Sequence, residues 1–256
     1  MAEPDTERDT DEIRALWDHA ADAYAHGQAS GRDSYRYRFF GPAQIALTGD
    51  VTGATLLDVG CGAGYFAREM AARGARVTAF DLSPRMLEHA RAAGGDIAYL
   101  ELDAAEVARR FAPASFDVIT ACMSLQDMPD PSAVLRALRV VIRPGGRLVA
   151  SIEHPCTATP IRRWERDADG RKLRLGIGDY FVRGAVRTTW RGWRYEFDTV
   201  AYHATLADWL GWIRDAGFAL HALSEPCPEP AAVAAHPELE DAVRVPYFLM
   251  FDLRPG

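Results

Sequence analysis

Three glycines at alternate positions follow an apolar segment in the run Leu-Leu-Asp-Val-Gly-Cys-Gly-Ala-Gly-Tyr-Phe, residues 56–66. Because glycine has no Cβ, Gly60, Gly62 and Gly64 allow a tight turn and let backbone N–H groups approach a ligand where a helix begins. The run therefore predicts a nucleotide-sized cleft at the end of a strand. Its spacing is G-x-G-x-G, whereas a dinucleotide fingerprint has the spacing G-x-G-x-x-G and usually an apolar residue in place of Cys61.

Apolar runs of strand length alternate with helical patterns downstream of this glycine loop. The predicted strands cover residues 55–59, 76–80, 97–102, 116–123 and 147–152, and the predicted helices between them cover residues 65–73, 85–93 and 130–142. Ser83 followed by Pro84 is typical of a helix N-terminus, and Gly74 marks a helix end. Short connections and right-handed crossovers then predict a mainly parallel, doubly wound α/β sheet that binds ligands at its carboxyl edge.

Three further segments flank or interrupt this core, which we assign to residues 51–156. Residues 1–50 are predicted to form an N-terminal helical cap, since apolar residues recur every three or four positions from Ile13 to Tyr24. Residues 157–200 lose the helical periodicity and are rich in glycine and aromatic residues, which predicts a β-rich insertion. Residues 201–256 are predicted to close the core with a helix at 206–216 and strands at 218–223 and 246–253.

The composition, with 48% hydrophobic and 25% charged residues, is that of an ordinary globular protein. A net charge of −7 argues against a nucleic acid as the main partner, because such binding needs clustered cations. Residues 1–11 are acidic and polar, unlike a signal peptide, and no apolar run is long enough to span a bilayer. We therefore expect a cytoplasmic protein without a membrane partner. The four cysteines form no C-x-x-C pair, so neither a disulfide framework nor a metal site is indicated.

Four motifs in a fixed order carry a family resemblance: the glycine loop, Asp81 closing the second strand, Asp103 after the third, and the Arg-Pro-Gly-Gly turn at residues 143–146. Over residues 55–151 they resemble the class I S-adenosylmethionine-dependent methyltransferases, in particular small-molecule enzymes of the type 11-like branch. The resemblance implies a Rossmann-like seven-stranded sheet with its last strand antiparallel. It also implies S-adenosylmethionine as the cofactor and S-adenosylhomocysteine as the product.

The resemblance further implies which residues contact the methionine part of the cofactor. Gly60 and Gly62, with Cys61 between them, would pass beneath it, while Asp58 braces the loop. Met123, at the end of the fourth strand, would supply backbone beside the cofactor.

A second group of residues would contact the nucleoside part. Asp81 ends the strand next to the glycine loop, where a carboxylate can accept hydrogen bonds from both ribose hydroxyls. Its alternative role is that of an aspartate in a surface turn. Leu82 and Met86 would pack on the adenine, and Asp103, followed by Ala104, would face the adenine amino group. Asp103 could instead cap the helical segment that follows it.

Two histidines are candidates for a general base, although methyl transfer from a sulfonium depends mainly on orientation. His154 lies in Glu-His-Pro after the fifth strand, at the carboxyl edge where substrates bind, and a neutral imidazole suits the task. The alternative is a structural histidine that bonds a loop carbonyl. His203 precedes the helix at 206–216 and could approach from the insertion, or it could satisfy the entrance of that helix.

Asp127 and Tyr24 complete the candidates near the reacting atoms. Asp127 lies in the loop after the fourth strand, where members of this family often carry substrate or catalytic residues. A loop-capping role is the alternative. Tyr24 could contact the sulfonium by cation–π attraction or donate a hydrogen bond to the methionine carboxylate, or it could simply be packed in the helical cap.

The insertion is rich in aromatic residues. In the run Trp-Arg-Tyr-Glu-Phe, residues 193–197, the period of two puts the three rings on one face. This pattern predicts a lid over the substrate, although a small packed hairpin has the same pattern. We therefore expect a flat aromatic or heterocyclic acceptor, including an indole type, methylated at oxygen, nitrogen or carbon in specialised metabolism, that is, natural product biosynthesis.

Three other functions compete with this hypothesis. A nicotinamide-dependent oxidoreductase would share the architecture but not the glycine spacing. A non-catalytic module would bind S-adenosylmethionine and methylate nothing. A nucleic-acid methyltransferase is suggested by the basic and aromatic residues 162–194, against the acidic remainder of the chain. The expected partner is a small molecule, and the sequence does not decide between a monomer and a homodimer.

Overall fold

The computed structural model describes residues 6–256, so the first five residues of the predicted cap and of the polar segment 1–11 lie outside the described residues. Five strands alternate with helices in the first part of the chain: β1 (Thr55–Val59), β2 (Arg76–Asp81), β3 (Ile97–Glu101), β4 (Phe116–Cys122) and β5 (Ile142–Glu153). Six strands follow: β6 (Ile161–Arg166), β7 (Lys172–Gly178), β8 (Gly184–Trp190), β9 (Phe197–His203), β10 (Phe218–Ser224) and β11 (Phe248–Pro255).

Seven of these strands form one sheet in the order β10-β11-β5-β4-β1-β2-β3. The pairs among β1 to β5 are parallel, and β11 runs antiparallel to both β5 and β10. This arrangement confirms the predicted doubly wound, Rossmann-like α/β sheet with its last strand antiparallel. Because β1 to β4 are parallel, their carboxyl ends meet at one edge, where such sheets bind ligands.

Helices cover both faces of the sheet. In chain order they are α1 (Thr6–Ala29), a π-helix (Arg36–Phe40), α2 (Gly41–Thr48), α3 (Tyr65–Ala72), α4 (Pro84–Ala92), α5 (Val107–Arg110), α6 (Pro131–Val141), α7 (Leu206–Asp215) and α8 (Pro230–Ala235). Short 3₁₀ helices cover Ala104–Glu106, Leu125–Asp127 and Pro237–Val243. The predicted cap at Ser83 is present, since its hydroxyl accepts a hydrogen bond from the Met86 N–H.

The core is divided between the two faces of the sheet. Leu56 and Leu57 are consecutive residues of β1 and both are fully buried, Leu56 beside Met70 of α3 and Leu57 beside Leu138 of α6. Successive strand residues point to opposite faces, so this pair requires helices on each side. Full burial of one such side chain contributes about 1.5–3 kcal/mol.

The insertion forms two antiparallel hairpins, β6–β7 and β8–β9, as the prediction of a β-rich segment requires. Strand β9 packs on α1 through Phe197, which is buried against Ala20 and Ala23. The hairpin β6–β7 is held elsewhere, where Lys172 forms an ion pair with the buried Asp241. The two hairpins therefore have different partners, and one of those partners is the N-terminal helix.

Candidate cofactor and active site

A cavity of about 560 Å³ lies at the carboxyl ends of β1, β2 and β4, beneath α1. Its volume is within the range of small-molecule sites. Among the described residues that line it are seven Asp and Glu side chains and a single cationic one, Arg36. All eleven residues that the sequence assigned to the cofactor line this cavity: Tyr24, Asp58, Gly60, Cys61, Gly62, Asp81, Leu82, Met86, Asp103, Ala104 and Met123.

The glycines of the loop differ in what surrounds them. Gly60 and Gly62 have φ values of +65° and +53°, in the left-handed region that side chains disfavour. A Cβ on Gly60 would lie 2.6 Å from the Ser124 Cβ, whereas the nearest atom to a Cβ on Gly62 would be in the Tyr24 ring, at 4.0 Å. Gly60 is therefore required by packing, and Gly62 leaves open the space that a Cβ would fill.

Asp81 ends β2 and joins the glycine loop to the turn that starts α4. Its Oδ2 accepts a hydrogen bond from the Gly62 N–H at 2.7 Å, and its Oδ1 accepts one from the Ser83 N–H at 2.9 Å. Burial raises the pKa of this carboxyl group. A carboxylate has about four acceptor positions. Two acceptor positions therefore remain, one on each oxygen, and they suit a pair of vicinal hydroxyls.

Asp58 lies one strand away, at the carboxyl end of β1. The Thr120 hydroxyl donates to its Oδ1 at 2.7 Å, because Asp58 and Thr120 are neighbours in the register of β1 and β4. Its Oδ2 is buried and has no hydrogen-bond partner among the described residues. Burial raises the pKa of Asp58 to about 7, against the opposing effect of the Thr120 hydrogen bond. Such a buried, half-satisfied carboxyl group suits a cationic ligand such as an ammonium.

Arg36 is a functional candidate that sequence reasoning missed. It lies in the π-helix, and its Nε donates to Asp33 Oδ2 at 2.9 Å while its Nη2 donates to the Tyr24 hydroxyl. The guanidinium carbon lies 5.1 Å from the centre of the Phe40 ring and 5.8 Å from that of Tyr65. A buried guanidinium that lines a cavity suits a carboxylate. The sequence carries no signal for this role, since an aspartate three residues before an arginine is a common surface pattern.

Tyr24 is packed in the helical cap and also lines the cavity. Its ring stacks on Trp193 with centroids 5.7 Å apart, and its hydroxyl accepts the hydrogen bond from Arg36. Burial raises its pKa to about 12, so the phenol stays protonated at neutral pH. Tyr24 is therefore packed and at the same time presents a polar hydroxyl group in the cavity.

The nucleoside end of the cavity contains the remaining predicted residues. Leu82 and the buried Met86 contribute apolar surface beside Asp81. Asp103 lines the cavity, and its Oδ1 also accepts a hydrogen bond from the Ala105 N–H at 2.9 Å, which caps the 3₁₀ helix Ala104–Glu106. The position beside the cavity and the capping role, posed as alternatives for Asp103, are thus both present.

Two thiols, Cys61 and Cys122, also line the cavity. Burial raises the pKa of Cys61 well above its usual range and that of Cys122 to about 12. Both groups are therefore protonated thiols, which are poor nucleophiles compared with thiolates. They do not compete with an acceptor for an electrophilic methyl group.

Asp127 ends the 3₁₀ helix Leu125–Asp127 that follows β4, and it lies in the same cavity. Burial raises its pKa well above its usual range, and the nearby carboxylates of Glu153 and Asp81 add to the effect. The chain reaches this helix through Met123, whose φ of +57° is unusual for a residue with a side chain. A carboxyl group with a raised pKa in a cavity is suited to proton transfer near neutral pH.

The two histidines proposed as bases lie outside this cavity. His154 is buried, its Nε2 is 2.8 Å from Glu225 Oε1, and its Nδ1 accepts a hydrogen bond from the Cys156 N–H at 3.2 Å. Both ring nitrogens are therefore engaged, which favours the structural alternative for His154 over the role of a base. His203 lies 2.9 Å through Nε2 from the Tyr180 carbonyl oxygen and lines a separate, smaller cavity.

The sequence predicts the aromatic insertion as a lid over the substrate. Among the described residues that line the main cavity, none comes from residues 157–203. The rings of Trp193, Tyr195 and Phe197 pack against α1, in one cluster with Trp17 and Tyr24. The insertion therefore supports this helix, which forms one wall of the cavity.

Comparisons with known proteins decide the family. A methyltransferase-domain family profile matches residues 57–150. An S-adenosylmethionine-dependent methyltransferase of known structure from Mesorhizobium loti is 34% identical, with a TM-score of 0.71 over 83% of this chain and 96% of that one. The chain belongs to the S-adenosylmethionine-dependent methyltransferases. A methyltransferase from Burkholderia thailandensis, solved with 1,6-didemethyltoxoflavin and S-adenosylhomocysteine, shares the fold at 18% identity and a TM-score of 0.58 over 100% of this chain and 92% of that one.

Curated relatives of this methyltransferase match a shorter stretch. The ubiquinone biosynthesis O-methyltransferase of Aeromonas salmonicida is 39% identical over 108 residues, which is 41% of this chain and 45% of that protein. The chain thus spans about half the length of the curated relatives it matches, from 43% to 59% of each.

The cavity fits the cofactor of this family. It combines an open glycine loop, the Asp81 acceptors, the orphaned oxygen of Asp58 and a guanidinium, which match the hydroxyls, ammonium and carboxylate of S-adenosylmethionine. Within residues 6–256, no three His, Cys, Asp or Glu side chains are grouped so that they could hold a metal ion. The helices of the same described part are all too short or too polar to cross a membrane.

Proposed function

We propose that this methyltransferase transfers the methyl group of S-adenosylmethionine to an oxygen or nitrogen atom of a small aromatic or heterocyclic acceptor. The observation that carries the proposal is that Asp127, a carboxyl group with a raised pKa, shares one cavity with the glycine loop and Asp81. A site with a cofactor cradle and a proton acceptor side by side has the parts that methylation of an O–H or N–H group needs.

Each residue of the cavity has a proposed role toward the cofactor. Asp81 accepts hydrogen bonds from the ribose hydroxyls, and the free oxygen of Asp58 faces the ammonium group. Arg36, held by Asp33 and by the Tyr24 hydroxyl, binds the methionine carboxylate. Leu82, Met86, Asp103 and Ala104 surround the adenine, and Gly62 keeps the space beneath the methionine part open.

Asp127 has the proposed role of general base. The bound cofactor supplies an electrophilic methyl group, so the residues have to orient the acceptor and receive its proton. The acceptor oxygen or nitrogen would form its bond to the methyl carbon as the carbon–sulfur bond breaks and S-adenosylhomocysteine leaves. The proton of its O–H or N–H bond would pass to the Asp127 carboxylate. General base catalysis of this kind contributes about 10²–10⁴ in rate. Burial helps because a base is most effective when its pKa is near the working pH.

The names of the relatives and the need for a base both favour particular acceptor atoms. The curated relatives are named as O-methyltransferases of ubiquinone biosynthesis, which supports an aromatic hydroxyl as the acceptor. A carbon acceptor of the indole type in specialised metabolism, included in the sequence-based expectation, gains no support from these relatives. It would also make little use of a base, because an activated ring carbon attacks before its proton is lost.

The experiment compares Asp127→Asn with Asp96→Asn. Asp96 is an exposed carboxylate just before β3 and is not among the residues that line the cavity. With methyl-labelled S-adenosylmethionine and a panel of phenols and aromatic amines, we expect Asp127→Asn to lower kcat about 100-fold or more. Its Kd for the cofactor, measured by calorimetry, stays close to that of the unaltered protein. Asp96→Asn keeps both values.

Two outcomes would contradict the proposal at different levels. Equal turnover by Asp127→Asn would remove this residue from proton transfer and leave the methyltransferase activity intact. Cofactor binding by the unaltered protein without label transfer to any acceptor in the panel would favour a non-catalytic binding module. Failure to bind the cofactor at all would exclude both.

A further inference from the structure

A second, smaller cavity lies on the other side of the 3₁₀ helix Leu125–Asp127. Its volume is about 40 Å³, room for a substituent of a few non-hydrogen atoms. Gln126 lines this cavity, while its neighbour Asp127 lines the cofactor cavity. The opposite walls come from the end of β5 and from β6, β8, β9 and α7. A single helical turn therefore separates the proposed proton acceptor from this space.

Gln126 carries the observation that points to a ligand. Its side chain is 7% exposed, and its Nε2 donates to the Met123 carbonyl oxygen at 2.8 Å. That hydrogen bond fixes the amide orientation, because only the NH₂ end can donate to a carbonyl. The Oε1 is left buried without a hydrogen-bond partner among the described residues. A buried acceptor of this kind is costly unless a donor reaches it.

One carboxylate and one guanidinium lie around the cavity. Glu153, at the end of β5, lines the cavity and lies close enough to Asp127 to raise its pKa. The single cationic side chain among the described residues that line this cavity, Arg162, is 3.8 Å from Glu153 and partly neutralises it. The Nε2 of His203 lies at the Tyr180 carbonyl oxygen, so that nitrogen donates to the carbonyl.

Apolar and hydroxyl side chains complete the walls of the cavity. The apolar ones include Val186 of β8, Ala204 after β9 and Trp209 of α7. The hydroxyl groups are those of Thr159, Thr188 and Tyr202. A ligand group that fits here needs hydrogen-bond donors at its tip and a flat or compact body behind them.

We propose that this cavity is an acceptor subsite that selects a substituent with N–H donors, such as an amine, amidine or amide, and disfavours a carboxylate. The inference rests on the proposed function, since it places the methylated atom of the acceptor near Asp127 and a substituent of the same molecule near Gln126. A donor group satisfies the Gln126 oxygen and faces Glu153 favourably. A carboxylate in the same place meets the lone pairs of Gln126 and the negative charge of Glu153.

The test uses three probes of nearly one shape. Benzamidine is cationic, benzamide is neutral and benzoate is anionic, and each carries a planar three-atom group on a phenyl ring. Their Kd values are measured by NMR titration on the protein saturated with S-adenosylhomocysteine. We expect benzamidine to bind about tenfold more tightly than benzoate, with benzamide between them.

Three variants connect the preference to the cavity. Glu153→Gln lowers the ratio of benzoate Kd to benzamidine Kd about fivefold or more, and Arg162→Gln raises it. Gln126→Met, of similar volume, weakens benzamidine and benzamide about fivefold each and leaves benzoate unchanged or slightly tighter. The matched control is Glu165→Gln, because Glu165 forms an exposed ion pair with Arg174 on the same hairpin, away from the cavity. It leaves all three Kd values unchanged.

The inference is overturned by benzoate binding as tightly as benzamidine, by the absence of saturable benzamidine binding, or by a ratio that neither Glu153→Gln nor Gln126→Met changes. If Gln126→Met fails to fold, the Kd ratio of Glu153→Gln still tests the inference, because Glu153 is partly exposed and its replacement is less disruptive. Failure of the proposed function is seen separately, as loss of S-adenosylhomocysteine binding to the unaltered protein.

Discussion

The Arg36 guanidinium and the Tyr24 phenol are hydrogen-bonded to each other at the wall of the cofactor cavity. Asp33 holds the other side of the guanidinium through Nε and is itself mostly buried. The phenol is fixed in turn by the Trp193 ring stacked on it. An arginine held at two points loses little further freedom when it binds a carboxylate, so this pair forms a preorganised site.

Replacing Arg36 by methionine should weaken cofactor binding only by removing the contact with the methionine carboxylate of the cofactor. A hydrogen bond to a charged group contributes about 1.5–3 kcal/mol, so we expect the Kd of S-adenosylmethionine to rise about 10- to 100-fold. An analogue without the carboxylate should bind Arg36→Met and the unaltered protein equally. Calorimetry below the melting temperature of the variant measures both. Arg38→Met, an exposed change in the same π-helix, is the control, and an equal loss for the analogue would refute the assignment.

Replacing the two loop glycines by alanine should affect different properties, stability for Gly60 and cofactor affinity for Gly62. Both substitutions force a side chain into the left-handed region at about 1–2 kcal/mol. Gly60→Ala adds a clash with Ser124 and should melt at a clearly lower temperature than Gly62→Ala, whose Cβ enters open space and reduces cofactor affinity. Gly31→Ala, with a φ of +69° and no neighbouring atom within 4 Å, isolates the backbone strain. Equal melting temperatures for Gly60→Ala and Gly31→Ala would count against this account.

Asp58 should make the stability of the cofactor-free protein depend on pH. Its pKa is raised from 3.8 to about 7 in the fold, so between these values the folded chain keeps a proton that the unfolded chain has lost. The contribution of Asp58 to the free energy of unfolding therefore falls as the pH rises from about 4 to about 7.

Asp58→Asn removes this titration and keeps the acceptor for Thr120. Between about pH 5 and pH 8, the unfolding free energy of the unaltered protein should fall about 2–3 kcal/mol more than that of the variant. Urea unfolding at the two pH values measures the difference. Parallel pH profiles for the two proteins would show that Asp58 is not the buried titrating group.

His154→Ala should destabilise the protein and spare its chemistry. The substitution removes the contact to Glu225 and leaves the Cys156 N–H without its acceptor, at a cost of about 2–4 kcal/mol. We expect kcat to stay within about threefold of the unaltered enzyme at temperatures below the lower melting point. His221→Ala, at an exposed position of β10, should change neither property. A drop in kcat of about 100-fold with an intact fold would restore His154 as a base.

The sheet and the glycine loop could be predicted because their signals are local. β1 covers residues 55–59 as predicted, and β2 and β4 end within one residue of the expected limits, since glycines and charged residues bound these apolar runs. The π-helix Arg36–Phe40 and helix α8 were not predicted. The first alternates basic and aromatic residues without a helical period. The second has only six residues and lies in a proline-rich segment without a helical period.

The sequence could place a residue in the cavity only where that placement depends on the position of the residue at the end of one strand. Asp81 and Asp127 follow strand ends, and the topology brings them together whatever the tertiary detail. The roles of His154 and Trp193 depend instead on distant partners, Glu225 and Tyr24. No local pattern identifies a partner that lies 71 residues away in the chain.

The acidic lining of the cofactor cavity has a consequence for turnover. Asp58, Asp81 and Asp127, whose pKa values are raised by burial, face one guanidinium among the described lining residues, and Asp33 already pairs with it. Under the proposed reaction, the ligand arrives with a positive sulfur and leaves with a neutral one. The positive form favours the ionised state of these carboxyl groups, which then attract it more strongly than the neutral form. The enzyme should therefore bind S-adenosylhomocysteine less tightly than S-adenosylmethionine because of this difference in charge. Product inhibition should then be weak without a conformational change that releases the product.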